Sequence, residues 1–290
     1  MGKLHSMTGF ARSEQSGETG PWLWELRAVN HRYLDIHLRM PERLRVHEHT
    51  LRKQISGALS RGKVDCVLTR ADQSEEDVRL EIDAGVVRGL RDAANTIRKL
   101  YDGVAPQSVN DVLRWPGVIA QPDADESAEG KAISAALASA LERLKAMRAR
   151  EGGHLGSLLL ARSNEIDELA TQVRARRPEV IAGIRERLQE RIDRVGVDID
   201  SGRMEAELLL LAQKLDVDEE LDRLDGHRTE LGRILEKGGP CGRKLDFLIQ
   251  EFNREANTLA SKSGDAQTTR AAVDMKVAIE QMREQVQNIE

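Results

Sequence analysis

The stretch Trp22–Pro41, WLWELRAVNHRYLDIHLRMP, decides the fold of the first third of this 290-residue chain. Apolar and polar side chains alternate through WLWELRAV and again through YLDIHLRMP, which is the period of two expected of half-buried β-strands. The residues between the two runs, Asn30 to Arg32, indicate a tight turn or a bulge. Pro41 ends the second strand. The stretch therefore predicts two neighbouring strands of a sheet.

The sequence after this stretch predicts a mixture of helices and strands. A helix is predicted over about 42–59, because its apolar residues recur at three- and four-residue steps. A third alternating strand is predicted at 64–70, a short one at 79–83, and a helix over about 84–101. This order predicts an α+β fold with an N-terminal domain, residues 1–122, that contains a mostly antiparallel sheet with helices.

The second part of the chain has helical periodicity throughout and predicts a long all-α C-terminal region. One helix is predicted from about 127 to 176, weakened at Gly152 and Gly153, and another from Pro178 to about 194. Further helices are predicted at about 204–215, 218–237, 242–263 and 268–289. Residues 123–200 are interpreted as a long helical oligomerisation region, since apolar stripes need partners, and residues 201–290 as a helical domain with the candidate active site.

Composition bounds the class of protein. With 40% hydrophobic and 32% charged residues the chain has the composition of a globular protein. It contains no run of 18 apolar residues, which excludes a membrane-spanning helix. The first residues lack the apolar stretch of a signal peptide, and Cys66 and Cys241 are too few for a disulfide framework. We therefore expect a cytoplasmic protein without a membrane partner.

The charge is unevenly distributed. Residues 1–64 hold 11 Lys and Arg against 6 Asp and Glu, although the whole chain has a net charge of −5. This imbalance indicates a local surface for a polyanion, but a solvated basic face is about equally compatible with it. Aromatic residues make up only 3% of the chain. If the protein binds a nucleic acid, backbone charge and shape must therefore dominate over base stacking.

The helix GRKLDFLIQEFNREANTLASKS, Gly242–Ser263, carries an unusual set of polar residues beside its apolar face. Asp246, with three amide residues, lies on one flank, and Glu251 and Glu255 lie one turn apart on the other. Two carboxylates on one face can bind a divalent cation, or can share a proton and divide acid and base roles. The same spacing also suits surface ion pairs with lysine and arginine.

The preceding helix offers further reactive side chains. Glu220, Arg223, His227 and Glu230 fall on one stripe beside its apolar face. The short turn GGPCG, Gly238–Gly242, predicts that the two helices pack antiparallel. His227 and Glu220 are therefore expected to approach Glu251 and Glu255 across the helix pair.

Several separated motifs make the chain similar to a known family. In chain order they read SMTGFAR, WELRAVNHRYLDIHLRMPERL, LSRGKVDC, DVDEELDRLDGH, GRKLDFLIQEFNREANTLASKS and IEQMREQVQNIE. Together they resemble the YicC/YloC family of bacterial proteins. The resemblance implies a cytoplasmic endoribonuclease that acts on single-stranded RNA and depends on a divalent metal, Mn²⁺ or Mg²⁺. It also implies a hexamer around an RNA channel, and work beside an exoribonuclease in small-RNA turnover.

Site residues follow from the matching motifs, and their roles from physical reasoning. The candidate catalytic residues are Glu220, His227, Glu251, Arg254 and Glu255. The candidate metal ligands are Asp246, Glu251 and Glu255. The candidate RNA contacts are Asn30, His31, Arg32, Arg61, Lys63, Arg243, Lys244, Asn253 and Asn257.

Two routes of cleavage stay open at this point. An acid–base pair that includes His227 can activate the 2′-hydroxyl, or a metal held by carboxylates can activate water. In the second route Arg243, Lys244 and Arg254 stabilise the charge of the phosphorane. The alternative function is a non-catalytic oligomeric protein that binds RNA or serves as a scaffold. The sequence leaves open the natural RNA, the cut site, and whether the site lies within one subunit or between subunits.

Overall fold

The computed structural model describes residues 4–17, 20–70, 81–101, 105–119, 126–195 and 201–290. Within these residues the chain has an α+β architecture, with a sheet and short helices first and a long helical region after them. The predicted fold class is confirmed. The predicted domain boundaries at 122 and 200 lie outside the described residues.

The sheet of the described residues has four strands in the order β1-β2-β4-β3. The strands are β1 (Gly9–Gly17), β2 (Gly20–Val29), β3 (Leu34–Arg39) and β4 (Gly62–Arg70). β1 pairs antiparallel with β2, and β2 with β4, whereas β3 and β4 are parallel. The sheet is therefore mostly antiparallel, as predicted.

Two features of the sheet differ from the sequence prediction. β2 and β3 are not neighbours, because β4 lies between them. A parallel pair such as β3 and β4 needs a crossover connection, and the segment between them supplies it as a 3₁₀ helix (Glu42–His47) followed by α1 (Glu48–Ala58). The segment Asn30 to Arg32 therefore connects β2 to β3 past the position of β4, and it does not form the turn of a hairpin. Strand β1 was not predicted.

Two short helices follow the sheet in the chain, α2 (Ala84–Leu100) and α3 (Val109–Leu113). α2 agrees with the predicted helix over 84–101, and α3 was not predicted. Part of the predicted strand at 79–83 lies outside the described residues, and Ile82 forms an isolated bridge with Ile119.

A single helix, α4 (Glu126–Val195), replaces the two helices predicted between residues 127 and 194. Pro178 lies inside it, although proline removes a backbone hydrogen bond from a helix. The neighbouring arginines pair with residues at the starts of α8 and α6: Arg176 Nε bonds Asp265 at 2.7 Å, and Arg177 pairs with Asp216 at 2.9 Å and with Asp218. The helix continues through Pro178, so the predicted break there is wrong.

The remaining helices are α5 (Ser201–Lys214), α6 (Asp218–Lys237), α7 (Gly242–Lys262) and α8 (Ala266–Val286). All four were predicted, and the bounds of α6 match the prediction at both ends. No helix among the described residues combines the length and the apolarity needed to cross a membrane.

Helix α4 takes part in both hydrophobic cores. Its first part packs on the sheet with Leu137 and Leu144, and Trp24 Nε1 donates a hydrogen bond to the carbonyl of Ile133 at 3.0 Å. Its middle part, including Leu159, belongs to the second core with the buried residues of α6, α7 and α8, such as Phe252. The predicted oligomerisation region therefore also connects the sheet to the C-terminal helices.

The last residues of the chain return to the N-terminal segment. Met7 N donates to the carbonyl of Asn288 at 2.8 Å, and Glu290 N donates to the carbonyl of His5 at 2.9 Å. The buried Arg148 pairs with Glu290 at 2.6 Å. The end of the chain also lies against the start of α7, since Cys241 N donates to the carbonyl of Glu290 at 3.3 Å, and a cavity opens there next to Asn30, which follows β2.

Candidate functional site

Helices α6 and α7 form an antiparallel pair around a short glycine-rich turn. Gly238 and Gly239 both have positive φ, at 62° and 76°, a conformation that glycine adopts without steric cost. The apolar faces of the two helices, with Leu224, Leu231 and Phe252, are buried in the second core. The polar residues beside these faces therefore meet along the boundary between the two helices, which we call the seam.

Three predicted residues meet at this seam. One ligand atom each of His227, Glu251 and Glu255 lies within 4.8 Å of the other two. The edge of the His227 imidazole contacts the ring of Phe252, with ring centroids 5.6 Å apart, which orients the imidazole. We call these three residues the catalytic cluster; their roles stay predictions.

The catalytic cluster contains polar groups that the protein only partly satisfies. The Glu255 side chain is 3% exposed, and its partner among the described residues is Arg223, at a long 3.5 Å. His227 Nε2 is buried and has no hydrogen-bond partner in the described part of the chain. Buried groups of this kind cost free energy unless a ligand or water satisfies them. A carboxylate pair with a free imidazole nitrogen fits a divalent cation.

Two predicted catalytic residues lie beside the catalytic cluster and not in it. Glu220 is buried one turn before Arg223, and its Oε1 accepts a hydrogen bond from Lys262 Nζ at 2.8 Å. Its Oε2 has no partner among the described residues. Arg254 is exposed and approaches Glu251 at 3.9 Å. Glu220 therefore supports the seam, whereas Arg254 faces solvent next to the cluster.

Asp246 does not lie in the catalytic cluster. It precedes Glu251 by five residues, so the two side chains point about 140° apart around the helix. Its carboxylate accepts a hydrogen bond from Gln250 at 3.3 Å and lines a cavity at the start of α7. The third group beside Glu251 and Glu255 is His227, from the neighbouring helix.

The cavity at the start of α7 has a volume of about 560 Å³ and brings together residues from both ends of the chain. Four of the predicted RNA contacts line it: Asn30, Arg32, Arg61 and Arg243. We call it the basic cavity. In the described part of the chain none of its three arginines forms an ion pair, although Arg32 stacks over the ring of Tyr33 at 5.2 Å.

The other predicted RNA contacts lie outside the basic cavity. His31 Nδ1 lies 2.9 Å from the carbonyl of Tyr33, and Lys63 is half-buried in β4. Lys244 is exposed near the start of α7, and Asn257 donates to Asn253 at 3.4 Å on the flank of the same helix.

The sequence analysis gave no role to the last residues of the chain, yet Gln287 and Ile289 line the basic cavity. Asn30 Nδ2 donates to the carbonyl of Gln287 at 2.7 Å. The motif that ends the chain was visible in the sequence, but no local pattern relates it to β2.

Family models of known proteins match most of the chain. A family model described as "Endoribonuclease YicC-like, N-terminal region" matches residues 4–157, and one described as "Endoribonuclease YicC-like, C-terminal" matches residues 173–290. The gap between the two matches falls inside α4.

Two relatives align over nearly their full lengths. The chain is 42% identical over 287 residues to the probable endoribonuclease YicC of Haemophilus influenzae, and the alignment covers 99% of this chain and 100% of the relative. It is 33% identical over 290 residues to the probable endoribonuclease YicC of Clostridioides difficile, with 98% and 99% covered.

Proposed function

Because the chain belongs to the YicC-like endoribonuclease family, we propose that it is an endoribonuclease that cleaves phosphodiester bonds of single-stranded RNA at the catalytic cluster. The observation that carries this assignment is the convergence of His227, Glu251 and Glu255 within 4.8 Å. An imidazole and two carboxylates can support RNA cleavage, either by moving protons or by holding a metal.

The donor set favours a metal. Mg²⁺ is held mainly by oxygen ligands, whereas imidazole suits transition metals, so one histidine with two carboxylates favours Mn²⁺ over Mg²⁺. The buried, unpartnered Nε2 of His227 supports this choice, because metal ligation satisfies it. A bound divalent ion lowers the pKa of water and neutralises phosphate charge.

The surrounding residues of the chain position the catalytic cluster. Phe252 holds the His227 ring from one side, and Arg223 offsets part of the charge of Glu255. Arg254, exposed next to Glu251, is placed to contact a phosphate oxygen of bound RNA and stabilise the charge that develops there.

The basic cavity supplies phosphate contacts for the same RNA strand. Arg243 precedes Glu251 by eight residues, which is about 12 Å along a helix. A flexible single strand can therefore contact both the basic cavity and the catalytic cluster along α7. Lys244 lies on the same flank of α7 as Glu251 and extends this path, whereas Asn253 and Asn257 lie on the other flank, with Asp246. The scarcity of aromatic residues agrees with recognition through the backbone of RNA.

The family resemblance also leads us to include in the proposal a cytoplasmic hexamer that acts with an exoribonuclease in small-RNA turnover. Leu209 and Leu210 of α5 are 63% and 53% exposed, and such apolar side chains are suited to burial against another subunit.

The decisive experiment follows cleavage of a fluorescent single-stranded RNA in Mn²⁺, in Mg²⁺ and in EDTA. We expect cleavage in Mn²⁺ and none in EDTA. Glu251→Gln and Glu255→Gln should lower the rate by at least about 100-fold while RNA binding persists. Glu230→Gln is the matched control. Glu230 lies on the same stripe of α6 as His227, but it pairs with Arg233 at 3.3 Å and is not part of the catalytic cluster.

The outcomes distinguish a metal-dependent nuclease, a metal-independent nuclease and a non-catalytic RNA-binding protein. If wild-type protein binds RNA but does not cut it in any metal, the protein is a non-catalytic RNA-binding protein. If it cuts in EDTA and loses activity with His227→Ala, cleavage is metal-independent. If both glutamine variants cut at the wild-type rate, the catalytic cluster is wrongly assigned.

Thermal unfolding gives a second readout that does not depend on activity. Mn²⁺ at about 100 times its Kd stabilises the folded state by about 2.7 kcal/mol, which corresponds to a rise in Tm of roughly 4–5 °C for a chain of this size. This rise should be absent in Glu255→Gln and unchanged in Glu230→Gln.

A further inference from the structure

The basic cavity carries more positive charge than an internal phosphodiester requires. Its three arginines, Arg32, Arg61 and Arg243, face a single carboxylate, Asp246, so the formal charge of the lining is +2. A phosphodiester carries one negative charge, whereas a phosphate monoester carries about −1.5 to −2 at pH 7. The charge of the lining matches the monoester.

Two of these arginines, Arg32 and Arg243, are exposed, whereas Arg61 is withdrawn from solvent. Arg148 and Arg176, which like Arg61 are at least partly buried, are tied to Glu290 and Asp265. Arg61 is half-buried, and its Nε is buried without a hydrogen-bond partner in the described residues. A buried guanidinium nitrogen without a partner, beside two further arginines that form no ion pair with the described residues, indicates an anionic ligand in this cavity.

The walls of the basic cavity are held in place without a ligand. Asn30 is tied to Gln287 by a 2.7 Å hydrogen bond. A Cβ at Gly242 would lie 2.5 Å from the carbonyl oxygen of Ile289, so glycine allows the start of α7 to lie against the end of the chain. α7 has no side-chain N-cap, which leaves the amides of Gly242 and Arg243 available to an anion, whereas Lys244 N bonds the carbonyl of Cys241 at 2.9 Å. A preorganised site loses less free energy on binding than a mobile one.

We propose that the basic cavity binds the terminal phosphate monoester of an RNA strand and so anchors the end of the substrate. This inference rests on the proposed function, since it takes RNA as the ligand. The 12 Å or so between Arg243 and Glu251 then sets the cut a few nucleotides from the anchored end. Hydrolysis of RNA by other nucleases leaves a phosphate monoester on one of its products. The preferred substrates are accordingly strands that an earlier cleavage has produced.

The test compares three versions of one single-stranded RNA of ten nucleotides, each with an internal fluorophore. One has a 5′-phosphate, one a 3′-phosphate, and one has hydroxyl groups at both ends. Fluorescence anisotropy in EDTA gives Kd without cleavage. We expect wild-type protein to bind one of the phosphate-ended strands about tenfold more tightly than the hydroxyl-ended strand, which is the scale of one charge-assisted hydrogen-bonded contact. The end that gives the gain identifies the anchored end.

Substitutions of the cavity arginines test whether the basic cavity causes the tighter binding of the phosphate-ended strand. Arg61→Gln and Arg243→Gln should lower the preference for the phosphate-ended strand to about onefold. Arg39→Gln is the matched control, because Arg39 is exposed on the same sheet and does not line the basic cavity; it should keep the preference. Circular dichroism confirms that each variant is folded.

Several results overturn the inference. If wild-type protein binds the three strands equally, or if the preference survives in both Arg61→Gln and Arg243→Gln, the basic cavity does not anchor a terminal phosphate. In these cases cleavage of the hydroxyl-ended strand in Mn²⁺ remains, and the proposed function stands. Absence of cleavage for every strand in Mn²⁺ is instead the failure of the proposed function.

Discussion

Gly152 and Gly153 are adjacent in α4, and replacing each with alanine is expected to change stability in opposite directions. A Cβ at Gly153 meets nothing within 4 Å, whereas a Cβ at Gly152 would overlap the backbone carbonyl of Leu4. Because both residues lie inside one helix, the intrinsic preference of the helix for alanine is the same at both positions. The difference between the two variants therefore measures the contact with Leu4.

The expected changes in the free energy of unfolding follow from the helix preference for alanine and from the groups that the contact with Leu4 keeps in place. Alanine stabilises a helix interior by about 1 kcal/mol relative to glycine, and Gly153→Ala should gain that amount. In Gly152→Ala the N-terminal segment must move, which exposes the buried Leu4 at a cost of about 1.5–3 kcal/mol. It also strains the hydrogen bond from Ser6 N to the carbonyl of Arg148, worth about 1 kcal/mol. After the gain of about 1 kcal/mol from alanine, the net result is a loss of about 1.5–3 kcal/mol.

Urea unfolding followed by circular dichroism at 222 nm measures the free energy of unfolding of Gly152→Ala and of Gly153→Ala. Gly156→Ala extends the series, because its Cβ would meet only the flexible end of the Leu4 side chain, at 2.8 Å. The expected order of stability is Gly153→Ala, then Gly156→Ala, then Gly152→Ala. If Gly152→Ala proves as stable as Gly153→Ala, the N-terminal segment does not pack against α4 in solution.

Two further predictions concern titratable groups. Burial raises the pKa of Cys66 to about 12 and also raises the pKa of Cys241, so neither thiol should react with DTNB at pH 8 until urea unfolds the chain; rapid reaction of the native protein would contradict this packing. The pKa of Asp216 is lowered from 3.8, first by a hydrogen bond from the backbone N–H of Asp218 and also by Arg177. Its stabilising contribution is therefore complete above the unfolded-state pKa and is lost as pH falls through the folded-state pKa. Asp216→Ala should be less stable than wild type at pH 6 and equal to it at pH 2 in urea titrations, and an equal deficit at both values would refute the assignment.

Features encoded locally were predicted well from the sequence. The bounds of α6 follow from its three- and four-residue apolar spacing and from the glycine-rich turn after it. The meeting of His227 with Glu251 and Glu255 follows from the same two facts, because a short turn forces neighbouring helices to pack antiparallel.

Features that depend on distant contacts were not predicted. A proline normally ends a helix, yet α4 continues through Pro178, where Arg176 and Arg177 pair with Asp265 and Asp216 from distant parts of the chain. The position of β4 between β2 and β3 likewise depends on a crossover that alternation along a single strand cannot specify.

The sequence by itself determined the α+β class, the helix pair of the catalytic cluster and the side chains available for chemistry there. Helix periodicity also separates Asp246 from that cluster, whereas the tertiary structure alone decided that Arg61 and Arg243 share a cavity. The physical reason is the range of the interactions. Helix periodicity and turn chemistry act over a few residues, whereas the basic cavity exists only because the end of the chain packs against β2 and the N-terminal segment, as the bond from Asn30 to Gln287 shows.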